Sequence, residues 1–347
     1  MMFNNTYLLP TMHSTILVTG GAGFIGSNLI KYILEHSNTH IVNLDALTYA
    51  GNLQNLTDVE LDSRYTFVHG SIQNAEIVRY VLRRYNISGI INCAAESHVD
   101  RSIQSAQPFV DTNIKGTLVL LEAAKEYGIR RFLQMSTDEV YGSLGAEGFF
   151  TEETPLQPNS PYSASKAASD CLVRSFVHTH NLDAVITRCS NNYGPYQFPE
   201  KLIPLMISNA VNDISLPVYG DGMNVRDWIY VTDHCSGVWQ AYQHGKAGEV
   251  YNFGGKSEKY NIDVVKMILQ GVGKDESLIT YVKDRPGHDK RYAIDCTKAE
   301  RELQWQPTVT FEEGLAKTIA WYQDNNAWVE NVRSGAYLEY YAKQYQQ

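Results

Sequence analysis

The sequence predicts an α/β fold, a doubly wound parallel sheet followed by a smaller C-terminal domain, and three observations carry that prediction. Short runs that are apolar almost throughout alternate with helical periodicity over the first half of the chain. A glycine-rich turn joins the first run to the first helical segment. After Asn192, Gly194, Pro195, Pro199, Pro204, Pro217, Gly220 and Gly222 crowd the chain, and the alternation gives way to loops and short elements.

Taken in order, Thr15–Val18, Ile41–Leu44, Thr66–Val68, Gly89–Ala94, Arg131–Ser136 and Ala184–Arg188 read as strands. Gly26–Glu35, Ala75–Arg84, Thr112–Tyr127 and Tyr162–His180 lie between or beside them with apolar residues at helical spacing. Wholly apolar strands separated by helices indicate a sheet covered on both faces. Val250–Phe253 reads as one more strand returning to that sheet, and Phe311–Tyr322 as a helix. The predicted division is 14–193 for the large domain, rejoined by about 226–257. A smaller domain takes 194–225 and 258–330, and a helical tail takes 331–347. In that tail Tyr337, Tyr340, Tyr341 and Tyr345 share one helical face, which suits packing.

The chain has 347 residues, 44% of them hydrophobic, enough for a large core. A net charge of -9 argues against nucleic acid and requires any phosphate to be held by backbone N–H groups and a few basic side chains. Cys93, Cys171, Cys189, Cys235 and Cys296 are widely spaced without a CxxC pair, so neither a disulfide framework nor a zinc site is expected. His178 and His180, two apart on a helix, are expected at the surface. Met1–Ser14 lack the basic region and apolar run of a secretory signal, and no stretch reaches the roughly 18 apolar residues of a membrane span. A cytoplasmic protein is expected.

The turn Gly20-Gly21-Ala22-Gly23-Phe24-Ile25-Gly26 fits both GxGxxG and GxxGxxG. Its chemistry is a tight bend, close backbone approach to a pyrophosphate, and a helix N-terminus aimed at the charge. Such turns are common, but the place after the first strand is the one a Rossmann-type dinucleotide site requires. Asp45 ends the second strand, where a carboxylate accepts both ribose hydroxyls and repels a 2′-phosphate, favouring NAD over NADP.

Tyr162 and Lys166 stand four apart on one helical face. A phenol near pKa 10 is a poor base at neutral pH, and a nearby ammonium with a positive nicotinamide would lower it. The fifth strand runs out into Thr137-Asp138-Glu139, at the C-terminal edge where such sheets bind ligands. Thr137 can hold a substrate hydroxyl beside Tyr162. Two adjacent carboxylates can divide acid and base work if their environments differ. Neighbours on a strand face opposite ways, so sharing a site requires the chain to leave strand geometry at about Asp138.

With these residues the chain resembles the extended short-chain dehydrogenase/reductases and is similar to dTDP-glucose 4,6-dehydratases, from Ile16 to Trp328. The segments that match are 94–102, Thr137-Asp138-Glu139, 188–196, 199–204, 224–228 and 284–289. The resemblance implies that Tyr162, helped by Lys166 and Thr137, takes the C4 hydroxyl proton during transient oxidation by NAD. It implies Glu139 as base at C5 and protonated Asp138 as acid at the C6 hydroxyl. Around NAD it places Gly20, Gly23, Phe24, Ile25, Gly26, Asp45, Leu47, Thr48, Ser71, Ile72, Ala94, Ala95, Ser97, Thr112 and Asn192. Around the nucleotide-sugar it places Ser97, His98, Asn191, Lys201, Leu202, Pro217, Tyr219, Arg226, Asn261, Arg285 and His288. Arg226 is the expected diphosphate clamp, against the alternative of a surface pair with Asp227. No metal is implied. A homodimer built through the Thr112 and Tyr162 helices, and a place in deoxysugar, rhamnose and polysaccharide synthesis, are expected.

Two positions depart from the family. Ser71 stands where aspartate is usual at the adenine, a neutral partner expected to hold NAD less tightly; Thr232 stands where glutamate is frequent. Three alternatives stay open: a 4,6-dehydratase of a UDP-, CDP- or GDP-hexose, a nucleotide-sugar 4-epimerase, and a non-catalytic NAD-binding regulator. An epimerase needs no Asp138-Glu139 pair, and a regulator has no use for Tyr162 with Lys166.

Overall fold

The computed structural model describes residues 14–284 and 287–334. Its strands are β1 (Thr15–Thr19), β2 (His40–Asp45), β3 (Tyr65–His69), β4 (Gly89–Asn92), β5 (Arg131–Thr137), β6 (Ala184–Cys189), β7 (Asn191–Tyr193), β8 (Leu216–Tyr219), β9 (Val225–Tyr230), β10 (Val250–Phe253), β11 (Glu258–Tyr260) and β12 (Ile279–Val282). Its helices are α1 (Phe24–His36), α2 (Ala75–Arg84), α3 (Val99–Gln104), α4 (Gln107–Phe109), α5 (Thr117–Glu126), α6 (Pro161–His180), α7 (Leu202–Val211), α8 (Val231–His244), α9 (Asn261–Val272), α10 (Thr297–Leu303), α11 (Phe311–Asp324) and α12 (Asn326–Arg333).

Seven strands form one parallel sheet in the order β3-β2-β1-β4-β5-β6-β10. The doubly wound α/β expectation holds. Side chains alternate across β1: Ile16 and Val18 enter the core with α1, α8 and α10, while Leu17 enters the opposite core with α2, α5 and α6. Chain order reverses between β1 and β4, which opens a crevice at the C-terminal edge of the sheet. A second body of structure lies over that edge. It comprises the sheet β11-β9-β7, the pair β12-β8, and a third core shared by α7, α9 and α11.

Several elements differ from the sequence reading, each for a local reason. β4 pairs only as far as Asn92, because the next residues pass over the glycine turn. A Cβ on Gly20, whose φ is +67°, would lie 2.6 Å from Ala94 Cα. The helix read as Thr112–Tyr127 is α-helical only from Thr117; Val110–Gly116 is a π-helical stretch, a form that recurs at functional sites. Beyond Asn192 the chain holds helices of 10, 14 and 12 residues in α7, α8 and α9, not the short elements expected, while α11 matches the helix read at Phe311–Tyr322. Pro204 sits in the first turn of α7, where its missing N–H costs no bond. Gly237 in α8 gives Phe253 room, since a Cβ there would lie 2.7 Å from the ring. Of the returning stretch, β9 pairs with β7 and β11, while α8 and β10 build onto the large sheet. Tyr292, Ile294, Cys296, Ala299, Leu303 and Trp305 pack into the same core. His178 and His180 are exposed, as expected. The tyrosine stripe and Arg285 lie outside the described residues.

Asp233, in the first turn of α8, ties the two bodies together. Its carboxylate accepts the N–H groups of Thr308 and Val309 at 2.9 and 2.8 Å and the Thr308 hydroxyl at 2.7 Å. Asp233→Ala would leave three donors without their shared acceptor. It is expected to lower unfolding free energy by roughly 2–4 kcal/mol, read as a shift of the denaturant midpoint, with an unchanged midpoint counting against the tie.

Candidate active site

A cleft of about 420 Å³ runs along the C-terminal edge of the large sheet. On one side the glycine turn starts α1. Gly23 is its N-cap, and no side chain caps the helix, so its first N–H groups are left to a ligand. A Cβ on Gly26 would lie 2.2 Å from the Gly20 carbonyl, so only glycine fits there. Asp45 is buried and holds the turn as much as it faces the cleft: it accepts the N–H of Ala22 and of Leu47, each at 2.8 Å. An uncapped helix start over a cradle without side chains, with a carboxylate beside it, fits the pyrophosphate and ribose of NAD.

The catalytic candidates meet at the end of β5. The strand stops at Thr137, and Asp138–Tyr141 turns into a single 3₁₀ turn with Thr137 as its N-cap, the side chain accepting the Glu139 N–H. This is the departure from strand geometry that a shared site requires. Opposite, Ser160 and Ser163 form a reciprocal capping box and Pro161 opens α6, which fixes Tyr162 in the first helical turn. Thr137, Asp138, Glu139, Tyr162 and Lys166 all line the cleft.

Their electrostatics follow from burial. Asp138 is 2% exposed, its Oδ2 has no hydrogen-bond partner, and burial pushes its carboxyl well above the usual range, with Glu139 and Asp227 adding to the rise and Arg226 opposing it. A buried acid beside another carboxyl keeps its proton. Tyr162 runs against expectation. Burial, then the Glu139 carboxylate, push the phenol well above its ordinary value, and the Thr137 hydroxyl works the other way. Lys166 Nζ donates to the Met135 carbonyl at 2.7 Å. The protein alone therefore holds Tyr162 as a phenol, and its activation falls to the positive charge that NAD brings.

The remaining described residues named from the sequence fall around the same cleft, Leu47 excepted. Leu47 takes positive φ behind Asp45 and does not line it. Ser71 Oγ accepts the Gln73 N–H at 3.2 Å, and Thr112 accepts the Gln73 amide at 3.0 Å. Asn192 Oδ1 meets His234 Nδ1 at 2.9 Å; burial holds that histidine down at about 3, so it is neutral and orients the amide. Lys201 Nζ donates to the Ser97 carbonyl at 2.8 Å. Arg226 donates to the carbonyls of Val225 and Asp289 at 2.7 and 2.8 Å and lies 4.4 Å over the Tyr292 ring. Asp227 instead accepts the N–H groups of Gly255 and Ser257, so the surface-pair alternative for Arg226 fails. His288 meets Asp284 at 2.6 Å, and Tyr219 from β8 packs edge-on against it. Asn191 Oδ1, Asn261 Oδ1 and Trp228 Nε1 belong to residues of this lining and are buried without a partner, which suits a polar ligand.

Sequence reasoning missed Glu200, Tyr49 and Trp228. Glu200 is buried, accepts the Tyr49 hydroxyl at 2.9 Å and lies 3.7 Å from His98 Nε2, and burial pushes its carboxyl up to about 7. His98 Nδ1 accepts the Arg101 N–H and caps α3, which leaves Nε2 to carry the proton toward Glu200. Glu200 lies within the 199–204 segment, but its link to Tyr49 spans 151 residues and has no local signature.

A dinucleotide turn and a Tyr–Lys pair sharing one crevice of a parallel sheet define an extended short-chain dehydrogenase/reductase. Residues 17–318 match the family described as GDP-mannose 4,6 dehydratase. A dTDP-glucose 4,6-dehydratase of Neisseria meningitidis serogroup B is 51% identical over 343 residues, covering 93% of this chain and 97% of that protein. The crystal structure of a dTDP-glucose 4,6-dehydratase from Streptomyces venezuelae, with NAD and a TDP ligand bound, matches at TM-score 0.90 and 48% identity, over 92% of this chain and 99% of that one. A UDP-glucose 4-epimerase from Thermotoga maritima matches at TM-score 0.84 but 29% identity, over 90% and 99%. The chain belongs to the dTDP-glucose 4,6-dehydratase family.

The buried acid has a pH signature. Between about pH 4, the ordinary carboxylate value, and the raised value of Asp138, the native protein keeps a proton that the unfolded chain has lost. Stability from this group is complete below that window and declines as pH rises through it. Asp138→Asn is neutral throughout. It should match the parent near pH 4 and become progressively the more stable protein toward pH 8. Denaturant midpoints at several pH values read this, and a parallel offset would show Asp138 to be ionised.

Proposed function

We propose that this protein is an NAD-dependent hydro-lyase that converts dTDP-glucose to dTDP-4-keto-6-deoxy-glucose. The observation that carries the reading is the convergence of Asp138, Glu139, Thr137 and Tyr162 on one crevice beside the dinucleotide cradle. An epimerase has no work for the acidic pair.

When bound, NAD supplies the acceptor for the C4 hydrogen, the donor that returns it to C6, and a positive ring beside Tyr162. Thr137 holds the C4 hydroxyl while Tyr162 takes its proton, with Lys166 favouring the phenolate. The resulting C4 ketone acidifies the C5 hydrogen, which Glu139 removes. Asp138, protonated through burial, passes its proton to the C6 hydroxyl, which leaves as water. Glu139 then returns a proton to C5 and ends as it began; Asp138 ends one proton short and Tyr162 one proton richer, and passing that proton from the phenol to Asp138 through solvent restores both. Gly20, Gly23, Gly26, Asp45, Ser71 and Asn192 would hold the cofactor. Asn191, Lys201, Arg226, Asn261 and His288 would hold the nucleotide diphosphate.

The reading extends to a homodimer through the helices that carry Thr112 and Tyr162, a cytoplasmic location, and supply of rhamnose-type deoxysugars for polysaccharide. Family membership supports these, and no helix among the described residues is long and apolar enough to cross a membrane.

Purified protein incubated with dTDP-glucose should form 4-keto-6-deoxy product, seen by its alkali-induced absorbance, and UDP-glucose should serve poorly. Glu139→Gln should cut product formation by roughly 10²–10⁴-fold while NAD is still reduced. Normal dehydration by that variant would remove Glu139 from its role. In competition binding, dTDP should outrank UDP, CDP and GDP; equal displacement by all four would defeat the assignment of the base.

A further inference from the structure

Tyr162, Lys166 and Asp170 stand at successive four-residue steps of α6, all buried on the face turned to the sheet. Asp170 does not line the cleft, yet it is held more tightly than the residues that do. Its Oδ2 accepts Arg188 Nε at 3.0 Å and the Ser136 hydroxyl at 3.1 Å. Ser136 and Arg188 are register partners on β5 and β6, so two adjacent strands grip one carboxylate beneath the helix. Arg188 is fixed in turn by the Tyr141 hydroxyl at 3.0 Å, and that hydroxyl donates to Asn252 at 2.8 Å. The other carboxylate oxygen, Oδ1, is buried with no hydrogen-bond partner. Burial pushes the Asp170 carboxyl above the usual range, and the cations that oppose this and favour its charged form are Arg188, then Lys166.

We propose that Asp170 is a positioning residue for the reaction: anchored by Arg188 and Ser136, its carboxylate keeps the Lys166 ammonium charged and in place one helical turn above. The proposal rests on the reading that Tyr162 and Lys166 serve the C4 oxidation. Burial drives Lys166 toward the neutral amine, and Asp170 is the foremost influence against it, with Cys189 and Cys93 behind. Facing Lys166 are Tyr162 and Asp170 from its own helix, the Met135 carbonyl from β5, Cys93 after β4 and Cys189 from β6. With the charge of Asp170 gone, the ammonium loses its proton at lower pH, and a neutral amine no longer favours the Tyr162 phenolate. The alkaline limb of the pH profile then moves inward.

The test follows NAD reduction by dTDP-glucose against pH in the NAD-loaded protein. Asp170→Asn should bring the alkaline limb down by about one unit or more, with KM for the sugar nucleotide near its parent value. Removing one partner of a buried pair strands the other, so Asp170→Asn/Arg188→Met, which removes both charges, serves as the second variant and should show the same narrowing. A parent-like alkaline limb in either folded variant would overturn the proposal. Tyr162→Phe separates the underlying reading: it should abolish NAD reduction, and normal reduction in it would defeat the site assignment whatever Asp170 does.

Discussion

The turn at the end of β5 is the constraint on which the site depends. Along a strand, Thr137 and Glu139 would share a face and Asp138 would point to the other core. Ending the ladder at Thr137 and coiling the next four residues into a 3₁₀ turn sends the triplet around one corner of the crevice. Thr137 enforces the corner with its own side chain, which caps the turn. Gly142 closes it at φ +93°, where a Cβ would press against the Gln157 carbonyl at 2.5 Å. The two carboxyls are thus placed by backbone geometry.

The second organising fact is dryness. One low-dielectric pocket shifts its groups in opposite senses: the Asp138 acid and the Tyr162 phenol keep their protons, while Lys166 is pressed to lose its own. For Asp138 the shift suits the general-acid role proposed for it, since such an acid must be protonated at working pH. For Tyr162 it opposes the chemistry, and a bound cation is required to reverse it. That asymmetry confines a reactive phenolate to the complex with NAD.

What the sequence disclosed follows the range of the interactions. β1, α1, α2 and β10 were legible because apolar periodicity and the glycine turn are local, and Ala75–Arg84 and Val250–Phe253 coincide with their segments. The Thr137–Glu139 triplet and the Tyr162–Lys166 spacing were legible because each is a short pattern on one element. The π-helical stretch at Val110–Gly116 was not. Its reason is Asn113, whose side chain binds the Glu96 backbone and Ser165 on α6, contacts the linear sequence cannot show. The tie between Glu200 and Tyr49 was hidden for the same cause. α7 was hidden by its own composition, since Pro204 reads as a breaker but sits where its missing N–H costs no bond.

An acidic chain that holds a diphosphate must place its cations without cancelling them. Two of the basic side chains over the crevice have carbonyl partners, while His288 meets the Asp284 carboxylate at 2.6 Å. Lys201 donates to the Ser97 carbonyl, and Arg226 donates to those of Val225 and Asp289. A carbonyl orients a cation and leaves its net charge in being, whereas a carboxylate partner at the same distance would neutralise it. Arg226 is further held by the Tyr292 ring, a contact that attracts the guanidinium without adding an anion. The helix N-terminus of α1 works on the same principle, as partial positive charge built from backbone and free of any acidic residue in its first turn. The formal charge of -9 is therefore compatible with an anionic ligand, because the donors that would meet a phosphate are local.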